Sequence, residues 1–162
     1  YFNAGESLLV QIGNPKHITM PSDLCGQPAG VQNGTIEQSD LQTASANCTK
    51  AGKPAIMITA LTNQTDVIQL LATNRVVATY QDSPVTDYYI KLHPGQFAVG
   101  GSVIGAGPEG IVIRKGDSSM LTAVQTAFNQ LKADGTYHKL ILNWNLADEE
   151  ITSVIDRRTN IV

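Results

Sequence analysis

Short apolar runs separated by polar, glycine-bearing turns alternate along this chain with segments whose apolar residues recur at helical spacing. Ser7–Ile12 and Ala29–Gln32 read as short strands rich in Leu, Val and Ile. Thr35–Lys50 reads as a helix, because Thr35 followed three residues later by Gln38 is a capping-box pattern. Ala55–Thr59 is a continuous apolar run and predicts a buried strand. Thr65–Thr73 predicts a helix with Val67, Leu70 and Leu71 on one face and Asn74 as a left-handed C-terminal cap. Val76–Tyr80 is the next strand, and Ser83–Lys91 a short helix with Pro84 in its first turn, where a missing N–H costs nothing. Gln96–Ile104 and Gly110–Arg114 are strand candidates separated by a Gly-rich turn.

The last third is helical in pattern. Leu121, Val124, Phe128 and Leu131 form one stripe, Gly135 ends it, and Tyr137, Leu140, Ile141 and Trp144 form a second. Residues 147–162 carry one or two further helical turns and a frayed tail. Strands alternating with crossover helices predict a mostly parallel central sheet flanked by helices, an α/β fold. In such sheets ligands collect beyond the C-terminal strand ends, where helix N-termini present free N–H groups. That rule singles out the loops Gln32–Thr35 and Gln81–Ser83.

Composition narrows the picture by exclusion. At 162 residues, 42% hydrophobic and 15% charged, the chain is long enough for one domain with a core and unlike a disordered segment. The net charge of −3 and the lack of any basic cluster beyond Arg157–Arg158 argue against nucleic acid as a partner. Runs such as Ala55-Ile56-Met57-Ile58 fall far short of a membrane helix. Tyr1-Phe2-Asn3-Ala4-Gly5 does not read as a signal peptide, so the chain looks like a mature or trimmed product.

The two cysteines, Cys25 and Cys48, read on count alone as either a disulfide or two core thiols. The pattern shifts that balance. A strand from Gly26 to Gln32 runs roughly 20 Å at about 3.3 Å per residue. A helix from Thr35 to Cys48 returns about as far at about 1.5 Å per residue. Both cysteines then meet at the end of the strand–helix unit away from the ligand edge, and a structural disulfide is expected.

Other motifs weigh less. Gly105-Ala106-Gly107-Pro108-Glu109-Gly110 matches the Gly-x-Gly-x-x-Gly dinucleotide fingerprint, but Ile111–Arg114 reads as a strand where the fingerprint needs a helix. The glycines are expected to serve a turn or hinge, and no cofactor is implied. Sequons at Asn33, Asn47 and Asn63 read as chance in a Thr- and Asn-rich chain, since Asn33 falls in the ligand loop. His17, His93 and His138 are isolated and give no metal set. No catalytic constellation is recognisable. Thr35 has an ordinary role as helix N-cap and could also offer hydroxyl and neighbouring N–H groups to an anion. Asp82 could likewise be a cap, or could hold an ammonium.

The stretch from Asp23-Leu24-Cys25-Gly26 through Gly30-Val31-Gln32-Asn33-Gly34-Thr35 resembles the amino-acid-binding proteins of ABC transporters, extracellular solute-binding protein family 3. The resemblance continues through Cys48 with Gly52-Lys53-Pro54, and through Asn74-Arg75-Val76 to Asp82-Ser83-Pro84-Val85. It closes with Gly110–Lys115 and with Asp134-Gly135-Thr136-Tyr137 to Trp144, so it spans roughly residues 1–147. It implies a type II periplasmic-binding-protein-like lobe: the second of two, with hinge strands at 1–12 and 96–104, C-terminal helices at 118–162, and no counterpart of the first lobe.

By the same resemblance Thr35 and the N–H of Ile36, beside Gly34, receive the ligand carboxylate and Asp82 binds its α-ammonium. Gln32 and Gln81 match positions facing the side-chain pocket, which implies a polar amino acid. Val77 and Asn74 depart from the Gly-Arg-x-Asp-Ala run common in the family, at the strand's start and away from the ligand. The expected protein is a bacterial, extracytoplasmic, non-catalytic receptor, in the periplasm or as a cell-surface lipoprotein. Its expected partners are a free amino acid and a membrane permease, with a homodimer or strand swap through an exposed hinge as a further possibility. Two competitors share the fold: a dehydratase-like or lytic-module enzyme, and a ligand-sensing ectodomain.

Overall fold

The apolar runs become five strands and the stripes become helices in the computed structural model, which describes residues 1–152. The strands are β1 (Asn3–Gln11), β2 (Pro28–Gln32), β3 (Met57–Leu61), β4 (Ala78–Asp82) and β5 (Phe97–Pro108). The helices are α1 (Ile36–Lys50), α2 (Gln64–Ala72), α3 (Ser83–Leu92), α4 (Ser118–Ala133) and α5 (Thr136–Asn143). Short 3-10 turns occupy Pro21–Leu24 and Ala147–Glu149; the remainder of the expected tail, 153–162, lies outside the described residues. The chain divides into two compact units, one of residues 5–106 and one of residues 1–4 with the chain from Gly107 onward.

The first unit holds a mixed sheet in the order β3-β2-β4-β1-β5. β2 runs parallel to both β3 and β4, in register Val31↔Ala60 and Val31↔Tyr80. β1 runs antiparallel to β4, with Glu6 opposite Asp82 and Leu8 opposite Tyr80. Side chains alternate between faces along each strand. One face therefore carries Leu8, Val10, Ala29, Val31, Ala78 and Tyr80, packed with Leu41 and Cys48 of α1. Around the other face Leu9, Ile68, Leu71, Val76 and Phe97 form a second core. Burying large side chains on both faces, at about 1.5–3 kcal/mol each, holds the strands to this register, since a one-residue slip would exchange the faces.

β3 and β4 begin two residues later than the apolar runs predict. Ile56 is buried, but its N–H donates to Ser45 Oγ at 3.0 Å, so ladder pairing starts only at Met57 opposite Pro28. Val76 N–H closes the end of α2 onto Leu70 O, and β4 then runs on to Asp82 through its pairing with Glu6 and Ser7. Asn74, at φ 59°, is the left-handed residue that ends α2, as the pattern predicts.

The strand expected at Gly110–Arg114 is not formed. β5 instead continues through the Gly-rich segment to Pro108, and the chain from Glu109 to Arg114 carries no strand. The cause is a shortage of apolar cover: Val112 is 96% exposed and Ile111 more than half so. The Gly-x-Gly-x-x-Gly string thus lies on the end of β5, and no helix follows until Ser118.

Where Gly101 passes Thr19 the backbones approach closely. A Cβ there would sit 2.0 Å from the Thr19 carbonyl oxygen, at a φ of 85° that side chains rarely adopt.

In the second unit Asp117 caps α4 through Met120 N at 3.0 Å, and Gly135, at φ 79°, separates α4 from α5. Phe128 and Tyr137 meet edge to face at 5.1 Å, with Lys132 Nζ over the Tyr137 ring. Tyr137 and Ile141 are the buried positions of the second stripe. Ile151 anchors the segment beyond, donating its N–H to Tyr137 Oη and accepting from Lys132 Nζ. His138, expected to be isolated, pairs with Glu150 at 2.9 Å.

Cys25 and Cys48 are joined, with Cα atoms 5.6 Å apart and a separation of 23 positions in sequence. The bond ties the entry of β2 to the last turn of α1, opposite the ends of β2 and β4. Closing a loop of this length is worth about 3 kcal/mol in the chain-entropy account. Replacing both cysteines by serine is expected to lower the melting temperature by roughly 10 °C, measured by circular dichroism, with reductant producing the same fall in the wild type.

Candidate functional site

Parallel pairing of β2 with β3 and β4 brings three C-terminal strand ends to one edge, at Gln32, Leu61 and Asp82. α1 and α3 start there, immediately beyond β2 and β4. Thr35 caps α1: its hydroxyl accepts from Gln38 N at 3.3 Å and donates to Gln32 O at 3.0 Å. The return half of the expected capping box reaches one residue further back, with Gln38 Oε1 accepting from Gly34 N at 2.8 Å. Gly34 supplies the positive φ, 81°, that this turn needs. Ile36 opens the helix, so its N–H has no intrahelical acceptor, and its side chain is 69% exposed beside the cap.

Asp82 stands at the N-cap of α3 but makes no side-chain capping bond, and it is exposed. Pro84 in the first turn removes one N–H that such a cap would have served. The Asp82 carboxylate therefore faces the strand-end edge without a structural task in α3.

The two glutamines separate. Gln32, half-buried, donates from its amide to Thr62 O at 3.1 Å, bridging the ends of β2 and β3. Gln81 is buried, donates to Thr86 Oγ1, and accepts from Gln64 Nε2 at 3.2 Å. Ser7 Oγ also donates to Thr86 Oγ1, at 2.6 Å, so Gln81 belongs to a buried polar network on the α2/α3 face. Sequence order alone could not separate the roles of Gln32 and Gln81.

The structure adds acidic neighbours that the sequence pattern did not single out. Glu6 lies opposite Asp82 in the β1–β4 ladder, and Tyr80 Oη donates to Glu6 Oε2 at 3.4 Å. Glu37 and Asp40, in the first turns of α1, act electrostatically on both Glu6 and Tyr80. Partial burial, then the charges of Asp40 and Glu37, hold the Glu6 carboxyl above its ordinary range, against the hydrogen bond from Tyr80. Burial and the same carboxylates push the Tyr80 phenol up as well. Only the antiparallel register, fixed by tertiary pairing, sets Glu6 beside Asp82. Among the described residues no cluster of His, Cys, Asp and Glu could hold a metal ion.

No protein-family profile matches the chain. Curated relatives do. The lysine/arginine/ornithine-binding periplasmic protein of Escherichia coli K12 is 31% identical over 147 residues, 86% of this chain and 54% of the relative. The L-cystine-binding protein TcyJ of the same organism is 26% identical over 148 residues, 91% of this chain and 53% of the relative. Among solved structures, an ancestral arginine-binding protein bound to arginine superposes with a TM-score of 0.66 at 32% identity, covering 89% of this chain and 61% of that one. An ancestral amino-acid-binding protein, a precursor of cyclohexadienyl dehydratase, gives 0.65 at 30% identity, covering 88% and 57%.

The fold is therefore that of the periplasmic-binding-protein-like solute-binding proteins. Within that class the chain is homologous to the amino-acid-binding periplasmic proteins. It spans about half the length of the curated relatives it matches.

The acidic edge has a consequence for stability. Because the folded-state pKa of Glu6 is raised, its unfavourable contribution is absent below the ordinary value of 4.5 and grows as pH rises through the raised pKa. Glu6→Gln is expected to melt higher than wild type at pH 7 and identically near pH 3.5, by thermal denaturation at both pH values. The gain should stay below about 1 kcal/mol, since solvent screens a side chain this exposed.

Proposed function

We propose that this chain is the second lobe of a bacterial extracytoplasmic receptor that binds a free amino acid and delivers it to an ABC-transporter permease. In this reading the lobe spans residues 1–162, with hinge strands at 1–12 and 96–104 and C-terminal helices beyond 118. A first lobe supplies the other wall of the site. The reading is carried by one observation above all: Asp82 offers an uncommitted carboxylate at the same strand-end edge where Thr35 caps α1.

The two ends of a zwitterion suit these two features. A carboxylate is stabilised by Thr35 and the N–H of Ile36, beside the Gly34 turn, and by the helix dipole. An ammonium is stabilised by Asp82 through charge-assisted hydrogen bonds. Gln32 lines the edge beside them. Gln81, whose amide is engaged by Thr86 and Gln64, positions the end of β4 from beneath. The relatives' names state amino-acid binding, in one case by a periplasmic protein, and the disulfide suits an oxidising compartment. Among the described residues no helix is long and apolar enough to cross a membrane.

A second reading, an enzyme on the same fold, draws on the similarity to the dehydratase precursor. We favour the receptor because the groups at this edge match the two charges of a ligand.

The test is calorimetric titration of an amino-acid panel into the full-length protein. One amino acid should bind tightly, and Asp82→Asn should weaken it by about tenfold or more; unchanged affinity would remove Asp82 from the site. The chain of residues 1–162 alone is expected to bind weakly, since a one-walled site leaves the ligand solvated. Turnover of the bound amino acid would establish the enzyme instead.

A further inference from the structure

Of the asparagines in the chain, only Asn33 precedes a glycine. The pair lies in the turn between β2 and α1, and both residues are exposed. Asparagine is chemically labile, and most so before glycine. The backbone nitrogen of the next residue attacks the side-chain carbonyl carbon, and without a Cβ nothing hinders its approach. Around Gly34 the way is open, since a Cβ built there would meet nothing within 4 Å.

For that attack the Gly34 N–H must give up its proton, and the peptide must turn its nitrogen toward the asparagine side chain. The fold opposes both. Gly34 N–H donates to Gln38 Oε1 at 2.8 Å, which holds the proton and the orientation of the peptide together. Beside it Asn33 N–H donates to Leu61 O at 2.8 Å, and Thr35 Oγ1 donates to Gln32 O at 3.0 Å. The turn is thus pinned on both sides, but the nucleophilic nitrogen itself is held by a single side chain, Gln38.

We propose that Asn33–Gly34 is a self-modification site, restrained by Gln38, whose conversion closes the carboxylate end of the binding edge. Gly34 N bonds to Asn33 Cγ and ammonia leaves, giving a succinimide. Water then opens the ring to aspartate or isoaspartate, so the net change is NH2 replaced by OH. Either product is ionised at neutral pH and adds a negative charge two positions before Thr35, where the start of α1 favours an anion. It competes with a ligand carboxylate for the same groups and repels it. Isoaspartate also adds a methylene to the main chain, lengthening the turn that sets Gly34 against Gln38. The effect on binding rests on the receptor reading above; the conversion does not.

The experiment ages the full-length protein in mildly alkaline buffer below its melting temperature and follows each asparagine by peptide mass spectrometry. Position 33 should convert ahead of the others. Gln38→Ala should speed it about fivefold, the factor an ordinary hydrogen bond represents. Asn129 and Asn145, exposed residues of the second unit, should keep their rates. Gln38→Glu, which keeps an acceptor in place, should stay slow. Aged wild type and fresh Asn33→Asp should both bind the preferred amino acid about tenfold or more weakly, from like charges brought together. Aged Asn33→Gln should keep the affinity of its fresh form.

No conversion at position 33 in either wild type or Gln38→Ala overturns the proposal. An equal rise at every asparagine in Gln38→Ala overturns the restraint, because general loosening of the fold gives that result. Conversion that leaves affinity unaltered overturns the effect on the site. If fresh protein binds no amino acid, the receptor reading fails, and the conversion is still decided by mass.

Discussion

The parallel pairing of β2 with β4, Val31 opposite Tyr80, is the constraint on which the rest depends. Parallel neighbours must end at the same edge, and their connections must return over the faces of the sheet. The helices following β2 and β4 therefore both begin beyond that edge, so Thr35 and Asp82, 47 residues apart in sequence, become parts of one surface. Were either pair antiparallel, one of these residues would lie at the opposite end.

The edge is held by different means on the two faces. On the α1 side an apolar core reaches from Leu8 and Val31 to Tyr80, and the disulfide clamps the far end of the same strand–helix unit. On the α2/α3 side, the buried Ser7, Gln81 and Thr86 and the half-buried Gln64 bind one another below the strand ends. Such a network fixes geometry, because any displaced member leaves a buried polar group unsatisfied. Rigidity beneath the edge is what a site for a small charged ligand requires.

Electrostatically the edge is divided. The start of α1 contributes N–H groups and positive partial charge, while Glu6, Glu37, Asp40 and Asp82 contribute negative charge around it. Burial first, and then these acidic neighbours, make Glu6 and Tyr80 hold their protons more tightly than their types ordinarily do.

Most of the architecture was legible along the chain, because each element carries its own local signal. Thr35 with Gln38, Pro84 and Asn74 mark helix ends by backbone chemistry that acts within a few residues. The meeting of Cys25 with Cys48 followed from matching the rise of a strand to that of a helix. Other features depended on partners distant in sequence. The apolar run at Gly110–Arg114 lacks the cover that would make it a strand, and Gln81 turns into the protein because Thr86 and Gln64 wait there. Glu6 reads as an ordinary strand residue until antiparallel pairing sets it against Asp82, and Glu37 as an ordinary first-turn acid until α1 lies over Tyr80. Local propensity thus determined which residues form strands, helices and caps. Long-range pairing and packing alone decided which charges meet, since a charge's neighbours are set by the register of strands far apart in the chain.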